Sequence, residues 1–248
     1  MCGHCLSRRG LAGLALAALA RPARAAPDAP VEPRMRLADP PAGQRTIALT
    51  FDLCPGAFDM RIASVLIAQR IPATLFVTEV WMRRNPEPLK LLLAHPDLFW
   101  LQNHGQWHLP PILGDRTIFG LRVAGDMATI NREVTEGARA IQAASGIAPR
   151  WYRAAAGFYT PSVIPRIEAL GFAIGAYTYS ADAGASLPAA RVAARMAAAR
   201  DGDVIVAHLN QPLRSSGAGV AEGLLLLQRE DTVFVRLDQV KTTPPSPV

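Results

Sequence analysis

Along this chain, short unbroken apolar runs alternate with longer stretches whose apolar positions recur at helical spacing. Residues 46–51 form a run of strand length, and 60–69 carry apolar residues at the helical period. A second run at 73–77 precedes a helix through 89–93, and a third strand is read at 99–101. Residues 126–144 form a longer amphipathic helix ended by Gly146. Strand 151–153, helix 162–170 closed by Gly171, strand 172–177, helix 189–199, strand 204–208, helix 218–228 and strand 233–237 complete the series. Seven strands interleaved with helices predict an α/β fold on a parallel sheet, either open or closed as a barrel. Such folds carry their chemistry on the loops that follow the carboxyl ends of the strands. Any candidate site should therefore sit just after strands.

The ends of the chain read differently. Ser7-Arg8-Arg9-Gly10-Leu11 leads into an apolar stretch to Ala20, and Arg21-Pro22-Ala23-Arg24-Ala25-Ala26 follows. A charged start, a short apolar core and an Ala-x-Ala site predict an export signal over residues 1–25, cleaved after Ala25. The paired arginines resemble the twin-arginine export signal, so a periplasmic or secreted location is expected. The apolar stretch is shorter than the roughly 20 residues a spanning helix needs, so no membrane span is expected once the signal is removed. Residues 26–45, rich in Pro and Ala, read as a linker or extended lead-in. Residues 46–241 read as one domain, and 242–248 as a tail.

The chain of 248 residues is 50% hydrophobic, enough for one sizeable core. The pI of about 9.8 points at first to nucleic acid. Four of the basic residues lie in the signal, however, and their loss lowers the formal charge from +6 to +2. A mature chain this close to neutral lacks the electrostatic footprint of a nucleic-acid binder. Two of the three cysteines, Cys2 and Cys5, also lie in the signal, which leaves Cys54 alone and excludes an internal disulfide in the mature protein. Nothing in the sequence fixes the oligomeric state.

Five places meet the strand-end criterion. They are Asp52, in Thr50-Phe51-Asp52-Leu53-Cys54-Pro55-Gly56; the pair His104 and His108; Arg153; Asp182; and His208. Two histidines at i and i+4 on one helical turn point the same way and can share a metal ion, completed by a carboxylate and water. Taken alone, such a pair is more often two unrelated side chains. Here three of only five histidines fall at strand ends beside an Asp-bearing strand end, which favours a site.

From residue 46 to about 238 the chain resembles the polysaccharide deacetylases of carbohydrate esterase family four. Thr50-Phe51-Asp52 is similar to the family's first motif, and His104 to His108 resembles its metal-binding second motif. Tyr152-Arg153 resembles the start of the third motif, and Ile205-Val206-Ala207-His208 the fifth. The resemblance implies a distorted, incomplete (β/α) barrel of about seven parallel strands. It implies a divalent metal, zinc foremost with cobalt, nickel or iron also suited, held by His104, His108 and Asp52. Asp52 matches the residue that takes a proton from water, and His208 the acid that protonates the leaving amine. Arg153 would hold and tune Asp52, and Asp182 would orient His208. The implied reaction is removal of N-acetyl groups from an envelope or extracellular amino-sugar polymer. The alternatives are a non-catalytic glycan-binding descendant and a hydrolase of another acyl or amide bond.

The chain also departs from that pattern. The family's second motif Asp, a metal ligand, is Leu53 here. Either Asp52 moves into the metal role or the site uses two histidines and more water. Cys54 is a further possible ligand, weighed against an ordinary buried thiol. Asp59 cannot be placed from sequence. The usual Pro-Pro-Tyr of the third motif is Ala154-Ala155-Ala156, which keeps a backbone donor for an oxyanion and loses the aromatic wall. Phe158 or Tyr159 could replace that wall, and Ala183 stands where the fourth motif has a Trp. Asn210 and Gln211, after His208, could hydrogen-bond a sugar.

Overall fold

The computed structural model describes residues 29–247. The export signal expected at residues 1–25 lies outside them. Among the described residues no helix is long and apolar enough to cross a membrane.

Eight parallel strands build one curled sheet: β1 Thr46–Leu53, β2 Ala73–Val77, β3 Phe99–Asn103, β4 Trp151–Tyr152, β5 Ala173–Ile174, β6 Tyr179–Ser180, β7 Val204–His208 and β8 Val233–Val235. Seven run in the order β5-β4-β3-β2-β1-β7-β6, and β8 lies alongside the first half of β1. Helices α1 Met60–Ala68, α2 Glu79–Arg84, α3 Pro86–Leu93, α4 Met127–Ser145, α5 Ile164–Ala169, α6 Ala189–Ala197 and α7 Ser216–Arg229 connect them. The result is a half-barrel with helices on its convex side.

Strand alternation sorts the side chains. Ile47, Leu49, Phe51 and Leu53 of β1 point outward, into a core shared with Leu66 of α1, Val192 of α6 and Leu224 of α7. Ala48, together with Phe76, Val204 and Val206, faces the concave side and packs with Met35, Tyr177 and Leu237. By the same period of two, Asp52 continues the inward face of β1, and His208 that of β7. Both faces of β1 are buried, and such strands read in sequence as continuous apolar runs.

Three expectations are corrected here. The strand read at 172–177 is only Ala173–Ile174, β5, and a separate strand not read from sequence, β6 at Tyr179–Ser180, follows it on the opposite edge of the sheet. The chain between them crosses at Gly175, where an added Cβ would lie 2.6 Å from the Phe76 ring. The described part of the 26–45 segment packs onto the domain instead of running free. Pro33–Arg34 pairs antiparallel with Ser246–Pro247 in the tail, and Met35 and Leu37 are buried in the concave core. The helix read through 89–93 is the second of two, since Asn85 interrupts α2 and α3 just before Pro86.

Candidate active site

Five strand ends, those of β1, β3, β4, β6 and β7, deliver the candidate residues to one rim of the half-barrel. In the parallel ladder of β1 and β7, Asp52 and His208 are register partners, so their side chains stand side by side on the concave face. Arg153 follows β4 and is 1% exposed. Its Nη1 donates to Asp52 Oδ1 at 2.8 Å, its Nε to the Gly175 carbonyl at 2.7 Å and its Nη2 to the Ala176 carbonyl at 3.3 Å. Burial alone would raise the Asp52 carboxyl. Arg153, His104 and His208 outweigh burial and hold it below its ordinary value.

His208 carries the opposite pairing. Asp182, fully buried, has Oδ1 2.9 Å from His208 Nδ1, and its Oδ2 accepts the His208 backbone N–H at 2.7 Å. Burial would lower the imidazole pKa, yet the Asp182 carboxylate holds it well above the ordinary histidine value. One rim thus presents a stabilised carboxylate beside a stabilised imidazolium. Environments that push two titratable groups apart in this way mark a base and an acid.

The loop after β3 is not the helical turn expected from the spacing of His104 and His108. Gly105 has φ +92° and His108 φ +68°, and either value breaks a helix. The fold of this loop is set from α4. Buried Glu133 accepts the Trp107 N–H at 3.0 Å and the Leu109 N–H at 3.0 Å. Asn103 receives Gly105 N–H at 2.9 Å and donates to the Val134 carbonyl at 2.8 Å. A Cβ on Gly105 would run into the Glu133 carboxylate, so glycine is required there. The loop still turns both imidazoles to one spot, with ring centroids 4.9 Å apart.

His104 Nδ1 lies 2.9 Å from the Arg153 carbonyl, which can only accept, so in the neutral ring Nδ1 carries the proton and Nε2 is left free to ligate. That Nε2 is 3.5 Å from Cys54 Sγ. His108 Nε2 is buried and has no hydrogen-bond partner among the described residues. The ligating atoms of Cys54, His104 and His108 all lie within 4.8 Å of one another. Burial would raise the Cys54 thiol, but the His108 and His104 imidazoles hold it well below the ordinary thiol range. Burial works against a proton on His104 too, and Asp52 and Cys54 outweigh it, raising its pKa. One sulfur with two ring nitrogens suits a zinc-like divalent ion. The donors present fit a metal.

Asp52 stands beside this trio, with Oδ2 3.9 Å from His104 Nε2. Asp59 has a structural position instead: it caps α1 by accepting Arg61 N–H at 3.1 Å and pairs with the Arg61 guanidinium. Tyr159 is buried, with its hydroxyl accepting the Ala154 N–H at 2.8 Å, so it offers no face to a sugar. Phe158 does, stacked edge-on against the exposed Phe119 at 5.8 Å. Asn210 is 1% exposed and close under Gly56, which removes it from any open sugar site. Glu133 was missed from sequence. Its signal was an acidic residue on the buried stripe of α4, between Ile130 and Val134.

The sequence model of a family described as polysaccharide deacetylase matches residues 39–201, a span that stops short of His208. No curated protein matches the chain. Among solved structures, it is similar to the peptidoglycan deacetylase PdaC from Bacillus subtilis, with 22% identity over 79% of this chain and 90% of that one and a TM-score of 0.65. A family 4 carbohydrate esterase from Streptomyces lividans gives 19% identity, coverage of 82% and 98%, and a TM-score of 0.63. A CE4 family pseudoenzyme from Bacillus anthracis gives 17% identity, 80% and 66%, and 0.63; the chain spans about two thirds of that protein's length. At these identities the likeness establishes a shared fold, the distorted half-barrel described above.

Proposed function

The chain belongs to the polysaccharide deacetylase family, and on that premise we propose that it is a metal-dependent hydrolase removing acetyl groups from the amino sugars of an envelope or extracellular glycan. The observation that carries this reading is the placement of two opposed charge pairs, Asp52 with Arg153 and His208 with Asp182, on register-paired strand ends beside the His104/His108 spot. His104 and His108 would hold the ion, which when bound polarises the amide carbonyl and acidifies water.

The chain's own groups supply the rest. Asp52, kept ionised by Arg153, accepts a proton from the attacking water. His208, kept protonated by Asp182, delivers a proton to the departing nitrogen as the C–N bond breaks, so that acetate and a free amine are released. In the turn where Ala156 has φ 60°, the Ala154 and Gly157 N–H groups are engaged by the Tyr159 hydroxyl and the Ala154 carbonyl, so the donors toward a developing oxyanion would be the Ala155 and Ala156 N–H groups. Phe119 and Phe158 provide apolar faces against which a sugar ring can pack. A non-catalytic glycan binder is the rival reading, motivated by Leu53. A binder needs neither a stabilised base nor a stabilised acid, and this chain keeps both. The export signal read at residues 1–25 would place the activity outside the cytoplasm, and fractionation that recovered only cytoplasmic protein would remove that part.

The test is acetate release from N-acetylated chito-oligomers and peptidoglycan fragments, with metal content measured on the same protein. Release that stops on chelation and returns with zinc supports the proposal. Stoichiometric metal without acetate from either substrate would redirect it to another acyl bond, and neither metal nor acetate would favour the binder.

A pH profile checks the acid separately. Asp182→Asn removes the charge that raises His208, so the alkaline limb of kcat/KM should move to lower pH while the acid limb stays in place. An unmoved alkaline limb would show that His208 is not the titrating acid.

A further inference from the structure

We propose that Cys54 ligates the metal as a thiolate, supplying the anionic donor that Leu53 cannot, and that Asp52 is thereby left off the metal as a base held by Arg153. This inference rests on the metal-dependent reading above and concerns which atoms hold the ion.

The alternation of β1 accounts for Cys54 facing the site while Leu53 does not. Leu53 is the last ladder residue of β1, paired with Val77, and its carbonyl accepts from Thr78 Oγ1 at 3.1 Å. Its side chain is fully buried in the outer, helix-side core. With the leucine side chain turned into that core, position 53 supplies no donor to the His104/His108 spot. Residue 54 returns to the face that carries Asp52. Accordingly Cys54 Sγ reaches His104 Nε2 at 3.5 Å and shares the 4.8 Å cluster with His108.

Two further observations point to a ligand at this spot. His108 Nε2 is buried without a partner among the described residues, and a buried polar atom left unsatisfied is destabilising. His104 is held in the ligating orientation by the Arg153 carbonyl at 2.9 Å. Asp52, by contrast, already has Oδ1 engaged by Arg153 at 2.8 Å. An inert structural thiol would lie in apolar packing; this one faces two imidazoles. Bonds of about 2.3 Å to sulfur and about 2.0 Å to nitrogen hold tetrahedral donors roughly 3.5 Å apart, close to the Cys54–His104 separation. A thiolate in the set also selects for zinc or cobalt over magnesium, calcium or manganese.

The experiment is cobalt(II) titration of the full chain carrying Cys2→Ser and Cys5→Ser, so that Cys54 is the only cysteine. The expected result is a sulfur-to-cobalt charge-transfer band that grows to one equivalent. Cys54→Ser should lose the band and weaken cobalt binding roughly tenfold or more. Cys54→Asp should recover affinity without the band. Cobalt bound with no such band, binding unchanged in Cys54→Ser, or no cobalt binding at all would each overturn the assignment. Thermal unfolding of the metal-free variants shows whether they fold, and the spectrum of the parent chain decides the question even if they do not. Acetate release reports on the other reading. A band without acetate keeps the Cys54 ligand and removes the deacetylase, whereas chelation-sensitive acetate release without a band does the reverse.

Discussion

Arg153→Met should lower folding stability by about 3–5 kcal/mol near neutral pH, the cost of leaving one member of a buried ion pair unpaired. The guanidinium is surrounded on all sides. It donates to Asp52, Gly175 and Ala176 and lies 3.9 Å from the centre of the Phe76 ring. Methionine fills the volume but leaves two carbonyls without donors and a carboxylate without its counter-charge. Burial is then opposed only by His104 and His208, and the Asp52 pKa rises above that of the parent. The sign of the pH dependence follows from this. In the parent, Asp52 is depressed on folding, so its contribution is present above the unfolded carboxylate value and is lost as pH falls through the folded value. In the variant the carboxyl is raised relative to the parent, and protonation at low pH relieves the unpaired charge. Urea unfolding at neutral and acidic pH should therefore show a penalty that shrinks on acidification. An equal penalty at both would mean that Arg153 acts through packing alone.

Asp52→Asn should lower kcat for acetate release by about 10²–10⁴-fold, the range general-base catalysis contributes. The amide oxygen can still accept from Arg153, and the guanidinium keeps its two carbonyl acceptors, so the fold should suffer less than in Arg153→Met. Metal content should be unchanged, because the Cys54, His104 and His108 donors are untouched. Loss of metal together with activity would put Asp52 in the coordination sphere, and activity within tenfold of the parent would place the base elsewhere.

Much of this arrangement was legible because the central strands β1, β2 and β7 are buried on both faces. Strands 73–77 and 204–208 were bounded correctly by their apolar runs alone, and that fixed which residues stand at strand ends. What could not be read depends on partners distant in sequence. The spacing of His104 and His108 fits a helical turn as well as a loop, and the choice is made by Glu133, reached only when α4 packs back. The early end of the strand read at 172–177 depends on Phe76 and Arg153 meeting Gly175 across the half-barrel. Tyr159 and Asn210 looked available because burial of a loop residue leaves no local pattern. Cys54 is a different case. Strand alternation counted from Asp52 puts it on the inward face, a signal left unused when Cys54 is weighed against an ordinary buried thiol.

Gly175 carries no functional group, yet it governs the acidity of the base. Its missing Cβ is the space into which the Phe76 ring fits, and its carbonyl holds Arg153 Nε. Even a methyl group there would push the ring and the guanidinium stacked on it, and so shift the charge that keeps Asp52 ionised. The working pH range of this site is therefore open to tuning from a position that a search for reactive side chains would pass over.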